Sequence, residues 1–451
     1  MNNFLRILLG LALIGVVALL AIIFVPVQRS GPTTVLAETW EPAPGAGLYA
    51  ARMGDCAACH TAPGGEQFAG GQAIDSPMGV IYGSNITPDP KTGIGGWSLD
   101  DFRAALVDGV APDGTHLYPA MPYENYRHLT EEDIRALYDY FMNEVEPVSN
   151  QVPTTDLSFP FNQRWGIRLW NWVALDKPGF NPDAMLSNDE QLARGAYLVQ
   201  GPGHCAACHS PRNLIMAQNG KTETSAAFLS GGEIDGWSAP DLRSADAPAQ
   251  QWTAEQLKSY LIAGRNAHSS VAGEMGLVVA YSLQYMTDED ADAMVAYLHD
   301  IRLGTSTTSE ENVQGHVDMD ALPDRISRLS AATDATSIKL ATAVDLSLGE
   351  RLYLDNCSAC HFSDGNGSAG VFPALRGNSI VAADQTGGLI DVILHGAAVP
   401  STETRPEELK MPGFGHRLSD EDVAELTSFL RTAWGNDASV VSASDVAAHR
   451  N

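Results

Sequence analysis

At 451 residues the chain is too long for one hydrophobic core and points to two to four domains. Its 42 glycines and 25 prolines favour short helices joined by turn-rich loops. A formal net charge of -28 at pH 7 excludes nucleic acid or an anionic membrane surface as the main partner and suits docking on a basic or neutral one.

The first element is an apolar run from Ile7 to Val25 without a polar side chain, flanked by Arg6 and Arg29. A helix needs about 20 such residues to cross a bilayer, whereas the apolar region of a secretory signal is usually about 7–15 residues long. Residues 1–29 are therefore expected to be a transmembrane anchor, with a removed signal as the alternative. No second run of this length follows. The body is expected at the cytoplasmic membrane with its domains on the periplasmic side, in an oxidising compartment.

Six cysteines there would ordinarily be read as three disulfides. Their spacing argues otherwise. They fall as Cys56/Cys59, Cys205/Cys208 and Cys357/Cys360, with His60, His209 and His361 directly after each second cysteine. Cys-x-x-Cys-His is the attachment signature of c-type haem. The two thiols add across the porphyrin vinyl groups, and the adjacent histidine is delivered to the iron as its proximal ligand. A zinc ribbon would need a second cysteine pair about 15–20 residues away. A redox dithiol needs no histidine after it. Three covalently bound haem c groups are expected.

The near-equal spacing of the motifs exposes an internal repeat. A helical stretch with an early glycine and a tyrosine precedes each motif: Gly47/Tyr49, Gly195/Tyr197 and Gly349/Tyr353. A helix ending in glycine follows it, at Gly109, Gly264 and Gly396. The last helix of each repeat opens on Thr130, Thr287 or Ser419, with Asp133, Asp290 or Asp422 three residues on, a capping-box pattern. The predicted fold class is all-α: three tandem class I cytochrome c domains behind an N-terminal hydrophobic helix. The expected bounds are 42–147 for the first domain, 148–189 for a linker and 190–303 for the second. A polar linker at 304–343, a third domain at 344–436 and a tail at 437–451 complete the chain.

A second ligand on each iron would suit an electron carrier, and methionine raises the potential. By position in the repeat the axial methionines are Met121 in YPAMPY, Met275, and Met411 in LKMPGF. Met286 occupies the residue before the N-cap, where the other repeats have Leu129 and Leu418, and is read as hydrophobic-staple packing. Met78 competes with Met121, and His116, His128, His268, His395 and His416 are alternative second ligands. His204 precedes Cys205 and is left with a contact at a haem edge. No Ser/His/Asp cluster, P-loop or dinucleotide fingerprint is present, so no catalytic residue is assigned.

The chain resembles the triheme cytochrome c subunit of bacterial membrane-bound dehydrogenases for alcohol, gluconate, sorbitol and related substrates. The resemblance rests on GLYAARMGDCAACHT, YGSNITPD, FPFNQRWGIRLWNW, RGAYLVQGPGHCAACHSPRN, GGEIDGWSAPDL and KMPGF. It implies a large dehydrogenase subunit as partner, either a quinoprotein, a flavoprotein or a molybdenum enzyme. It also implies delivery of electrons to ubiquinone or a terminal acceptor. The rival readings are a stand-alone anchored carrier feeding a terminal oxidase and a haem enzyme with one open iron.

Overall fold

The computed structural model describes residues 3–25, 27–181, 186–234, 236–303 and 334–450. The chain divides into two compact units. The first comprises Met1–Pro182, Gln200–Ala207 and Asn213–Gln218; the second comprises Asp183–Val199, Cys208–Arg212 and Asn219–Asn451.

The first repeat contains α2 (Ala46–Met53), α3 (Cys56–His60), α4 (Leu99–Asp108), α5 (Tyr123–Tyr126) and α6 (Glu131–Asn143); α1 (Asn3–Phe24) precedes it and α7 (Gly166–Ala174) follows. The second contains α8 (Glu190–Gln200), α9 (Ala206–His209), α10 (Pro248–Gln251), α11 (Ala254–Ala263), α12 (Glu274–Tyr281) and α13 (Asp288–Asp300). The third is reached through α14 (Ala335–Thr342). It holds α15 (Leu348–Asn356), α16 (Ser358–His361), α17 (Ser379–Ala382), α18 (Gly387–His395), α19 (Asp420–Thr432) and α20 (Ala443–Ala448).

In every repeat the helix before the motif crosses the last helix at the early glycine. A Cβ on Gly47 would lie 2.3 Å from the Ala136 carbonyl oxygen, one on Gly195 2.1 Å from that of Ala293, and one on Gly349 2.5 Å from that of Glu425. Any side chain there would push α2 off α6, α8 off α13, or α15 off α19. That close approach explains why glycine opens each unit of the repeat.

The last helices begin as their sequences predict. The hydroxyls of Thr130, Thr287 and Ser419 accept from the backbone N–H of Asp133, Asp290 and Asp422 at 3.2, 3.2 and 3.1 Å. Asp422 also accepts from the Ser419 N–H at 3.1 Å, which completes the reciprocal box. Asp290 takes a bidentate pair from Arg194 of α8, both contacts at 2.7 Å. Leu129, Met286 and Leu418 are buried before the caps, as are Ile134, Ala291 and Val423 beyond them, the burial that a hydrophobic staple requires.

The predicted fold class is corrected on two counts. First, the molecule is not all-α. It has a three-stranded antiparallel sheet of β1 (Ala73–Ile74), β2 (Gly79–Tyr82) and β3 (Asp156–Leu157). Two antiparallel hairpins accompany it: β4 (Gly232–Ile234) with β5 (Trp237–Ala239), and β6 (Gly396–Val399) with β7 (Leu409–Pro412). Loops that lie over a motif bury peptide groups, and short ladders satisfy them. Second, the expected membrane-spanning helix is not supported. α1 forms, but among the described residues no helix is long and apolar enough to cross a membrane.

The chain after α1 is stitched to α4. Arg29 pairs with Asp101 at 2.7 Å, and the Ser30 N–H and hydroxyl both donate to Asp108 at 2.7 Å. Residues 304–333 of the expected polar linker lie outside the described residues, while Leu340 of α14 belongs to the third core. Val441 and Val446, in the expected tail, are buried in that same core.

Candidate haem-attachment sites

Each motif forms a short helix, α3, α9 or α16, that brings the second cysteine and the histidine about one turn past the first cysteine. No disulfide joins any of the six cysteines, which removes the disulfide reading. Burial, reinforced by a neighbouring acid or thiol, pushes Cys56 and Cys357 up to about 12 and keeps them protonated.

The three thiol pairs differ in exposure at Cys360. Cys56, Cys59, Cys205 and Cys208 are half-buried and Cys357 is buried, but Cys360 is exposed. The reason is local. Cys357 is the N-cap residue of α16 and is packed into the third core, whereas Cys360, three residues on, stands outside that core near the end of a four-residue helix. Its backbone is held all the same, since the Cys360 N–H donates to the Cys357 carbonyl at 3.1 Å. The third pair therefore keeps the spacing of the motif and differs from the others in having one thiol open to solvent.

The histidines share one geometry. His60 Nδ1 lies 2.7 Å from the carbonyl oxygen of Ser84, His209 Nδ1 2.8 Å from that of Pro240, and His361 Nδ1 2.9 Å from that of Pro373. A carbonyl only accepts, so Nδ1 carries the proton in all three rings and Nε2 keeps its lone pair for a metal. Burial also holds the pKa of each imidazole below its ordinary value, which favours the neutral form that ligates iron. These carbonyls orient the rings and raise their basicity as ligands. Pro240 directly follows β5, Ser84 lies two residues past β2, and the backbone beside each comes close to its motif. A Cβ on Gly83 would lie 1.8 Å from the Cys59 carbonyl oxygen, and one on Gly232 2.3 Å from that of Cys208.

The methionines occupy three different settings. Met121 lies on the turn into α5, with its N–H donating to the Tyr118 carbonyl at 3.2 Å. Met275 is the second residue of α12 and packs on Val271 and Val279. Met411 lies in β7 opposite Ala397 and packs on the third core, which also contains Cys357. The competitor Met78 sits in the turn between β1 and β2 and is bound there through its carbonyl by Ser158. Among the alternative histidines, His116 is buried, His268 stacks on Trp252 with ring centroids 6.4 Å apart, and His395 Nε2 is 2.9 Å from the His449 carbonyl oxygen.

His204 has a firmer place than its position beside Cys205 suggested. Within the first unit its ring packs edge-on against Tyr126, 5.7 Å between centroids, and the Tyr126 hydroxyl donates to the Gly54 carbonyl at 2.5 Å. Burial pulls the His204 pKa down to about 4, so the ring stays neutral.

Paired thiols outside any disulfide, an adjacent neutral histidine with one oriented nitrogen, and a half-buried methionine later in the repeat together fit a covalently held haem. Bound haem iron supplies a one-electron couple. Cys56/Cys59, Cys205/Cys208 and Cys357/Cys360 would hold the porphyrins, and His60, His209 and His361 the irons. Exposure of Cys360 is compatible with this role, because a thioether at a porphyrin edge needs a reachable sulfur and no buried partner.

Helical repeats of this kind around such motifs define a c-type cytochrome. The chain matches the family model described as Cytochrome c over residues 192–302 and 346–434. It also matches the one described as Cytochrome C oxidase, cbb3-type, subunit III, over residues 41–141. It is 41% identical to the cytochrome c subunit of alcohol dehydrogenase (quinone) from Gluconobacter oxydans (strain 621H) over 405 residues, 89% of this chain and 80% of that protein. It is 39% identical to the gluconate 2-dehydrogenase cytochrome c subunit of Pantoea cypripedii over 418 residues, covering 90% and 88%. The fructose dehydrogenase cytochrome subunit of Gluconobacter japonicus is 36% identical over 448 residues, covering 94% and 89%. The chain therefore belongs to the family of cytochrome c subunits of bacterial dehydrogenases, which transfer electrons and leave catalysis to a partner.

Proposed function

We propose that this chain is a triheme cytochrome that accepts electrons, one at a time, from the large subunit of a partner dehydrogenase. It passes them on to ubiquinone or another terminal acceptor. The observation that carries this reading is the thrice-repeated histidine geometry: each imidazole directly after a Cys-x-x-Cys pair donates Nδ1–H to a backbone carbonyl and presents Nε2. Met121, Met275 and Met411 are proposed as the sixth ligands, which would close the irons to substrates and suit outer-sphere transfer. The acceptor follows the relatives, one of which is named as a quinone-linked alcohol dehydrogenase subunit.

We place the haem domains on the periplasmic side, at the membrane face. Support comes from the exposed apolar side of α7, formed by Leu169, Trp172 and Val173. Arg168, on the same helix, donates to the carbonyl of Ile22 at 2.9 Å. Aromatic and aliphatic side chains on such a face suit the lipid–water boundary.

A pyridine haemochrome assay on the purified chain is expected to give three haems. A value clearly below three would refute the attachment reading. Carbon monoxide added to the reduced protein is expected to bind no iron stoichiometrically; stoichiometric binding would favour a haem enzyme. Copurification of a large subunit from solubilised membranes, with substrate-dependent haem reduction, would separate a dehydrogenase subunit from a stand-alone carrier.

A further inference from the structure

The second and third repeats meet inside the second unit, and the junction touches the segments that hold both His361 and Met411. On the histidine side, the peptide between Pro373 and Ala374 is shared. Its carbonyl accepts from His361 Nδ1 at 2.9 Å, and its N–H donates to the carbonyl of His268, in the second repeat, at 3.2 Å. A second backbone bond runs alongside, from the Gly370 N–H to the Asn266 carbonyl at 3.1 Å. Hydrogen bonds in series through one peptide polarise each other, so the acceptor strength felt by His361 depends on the second repeat being in place.

On the methionine side, Val271 and Val279 of the second repeat form a buried cluster with Val399 of β6. Met275 and Leu409 pack against this cluster from opposite repeats. Leu409 pairs with Val399 in the β6–β7 ladder, and Met411 pairs with Ala397 in the same ladder. The segments that carry two sixth-ligand candidates thus rest on one apolar contact.

Trp237 of β5 wedges the junction. A Cβ on Gly273 would lie 2.5 Å from its indole ring, and one on Gly388 2.7 Å from it. Gly273 has φ +57 and stands two residues before Met275, while Gly388 lies in the first turn of α18 in the third repeat. The ring is therefore gripped between two glycines from different repeats, in a gap that would not accept a methyl group on either side.

We propose that Trp237 is a positioning residue that locks the second and third repeats into one redox module, so that the ligand field at each iron depends on the docking of the other repeat. This rests on the reading that haem occupies the second and third motifs. The electron passed between them changes only the oxidation state of the two irons, with no bond made and no proton moved.

The test is a spectroelectrochemical titration of the full-length holoprotein, with the thioether-to-ferric charge-transfer band read alongside the midpoints. Trp237→Ala, a change in the second repeat, is expected to lower the midpoint of the third haem as well as the second and leave the first unmoved. Gly388→Val, from the third repeat, is expected to shift the second haem in the same direction. Trp237→Phe should recover most of both shifts.

A Trp237→Ala protein whose third haem keeps its native midpoint overturns the proposal. Where Gly388→Val does not fold, Leu409→Ala is read instead; an unmoved second haem there overturns it equally. Haemochrome content is measured in the native protein first. Fewer than three haems would mean that the attachment reading has failed, rather than the junction. Met275→Leu tests the ligand assignment separately: an unchanged charge-transfer band removes Met275 as a ligand, and the Trp237→Ala effect on the third haem is still decisive.

Discussion

The two sides of the three sites follow different rules. On the histidine side the repeats are nearly superimposable in chemistry: a ring nitrogen 2.7–2.9 Å from a backbone carbonyl, burial, and a lowered pKa. On the methionine side nothing repeats. Met121 is on a turn, Met275 in the first turn of α12 and Met411 in a strand. The contrast teaches where covalent geometry governs and where packing does. The motif ties thiols and imidazole to one turn, so their relation is local; each proposed sixth ligand would come from a distant segment and take whatever backbone that segment has.

Experiments that strike the histidine side should have the largest effect. His361→Ala removes the proposed local ligand of the third iron, and on the triheme reading the haemochrome value is expected to fall from three haems to two. Leucine at Met121, Met275 or Met411 should leave the haem count at three. Each substitution should let one iron bind carbon monoxide and lower one midpoint, because a thioether favours the reduced iron. If Met411→Leu left all three midpoints unmoved, the contrast between the two sides would lose its third member.

Gly195→Val probes the scaffold beneath both sides. Overpacking the crossing of α8 and α13 is expected to cost about 1–3 kcal/mol, read as a lower thermal midpoint, because the Ala293 carbonyl oxygen is 2.1 Å from the new Cβ position. The smallest effects belong to the caps. Thr287→Ala is expected to cost about 1 kcal/mol. Met286→Leu, at the buried residue before that cap, should cost less than about 1.5 kcal/mol and leave every haem signal unchanged.

Much of this was legible from residue order. The capped final helices begin where Thr130, Thr287 and Ser419 say they do, because a hydroxyl and the N–H three residues on are neighbours in the chain. The crossing glycines were visible as recurring letters, although their reason, a carbonyl pressed against the Cα, was not. The hairpins escaped notice because strands of two to four residues carry too little alternation to register. The apolar N-terminal run read as a membrane span from its letters alone, which the described residues do not support. The exposure of Cys360 was equally hidden, because the letters of its motif match those of its buried and half-buried counterparts. The junction role of Trp237 left no mark in residue order, since its two close neighbours are glycines with no side chain to advertise a contact.

The amino-acid sequence by itself determined the three Cys-x-x-Cys-His turns and the glycine-opened, acid-capped helices of each repeat. All of these depend on residues within one or two turns of each other. Only the tertiary structure decided which carbonyls hold the imidazoles, how each methionine segment is framed, and that the second and third repeats share Trp237. Those relations join backbone groups and side chains far apart in the chain, and a backbone carbonyl has the same chemistry at every residue.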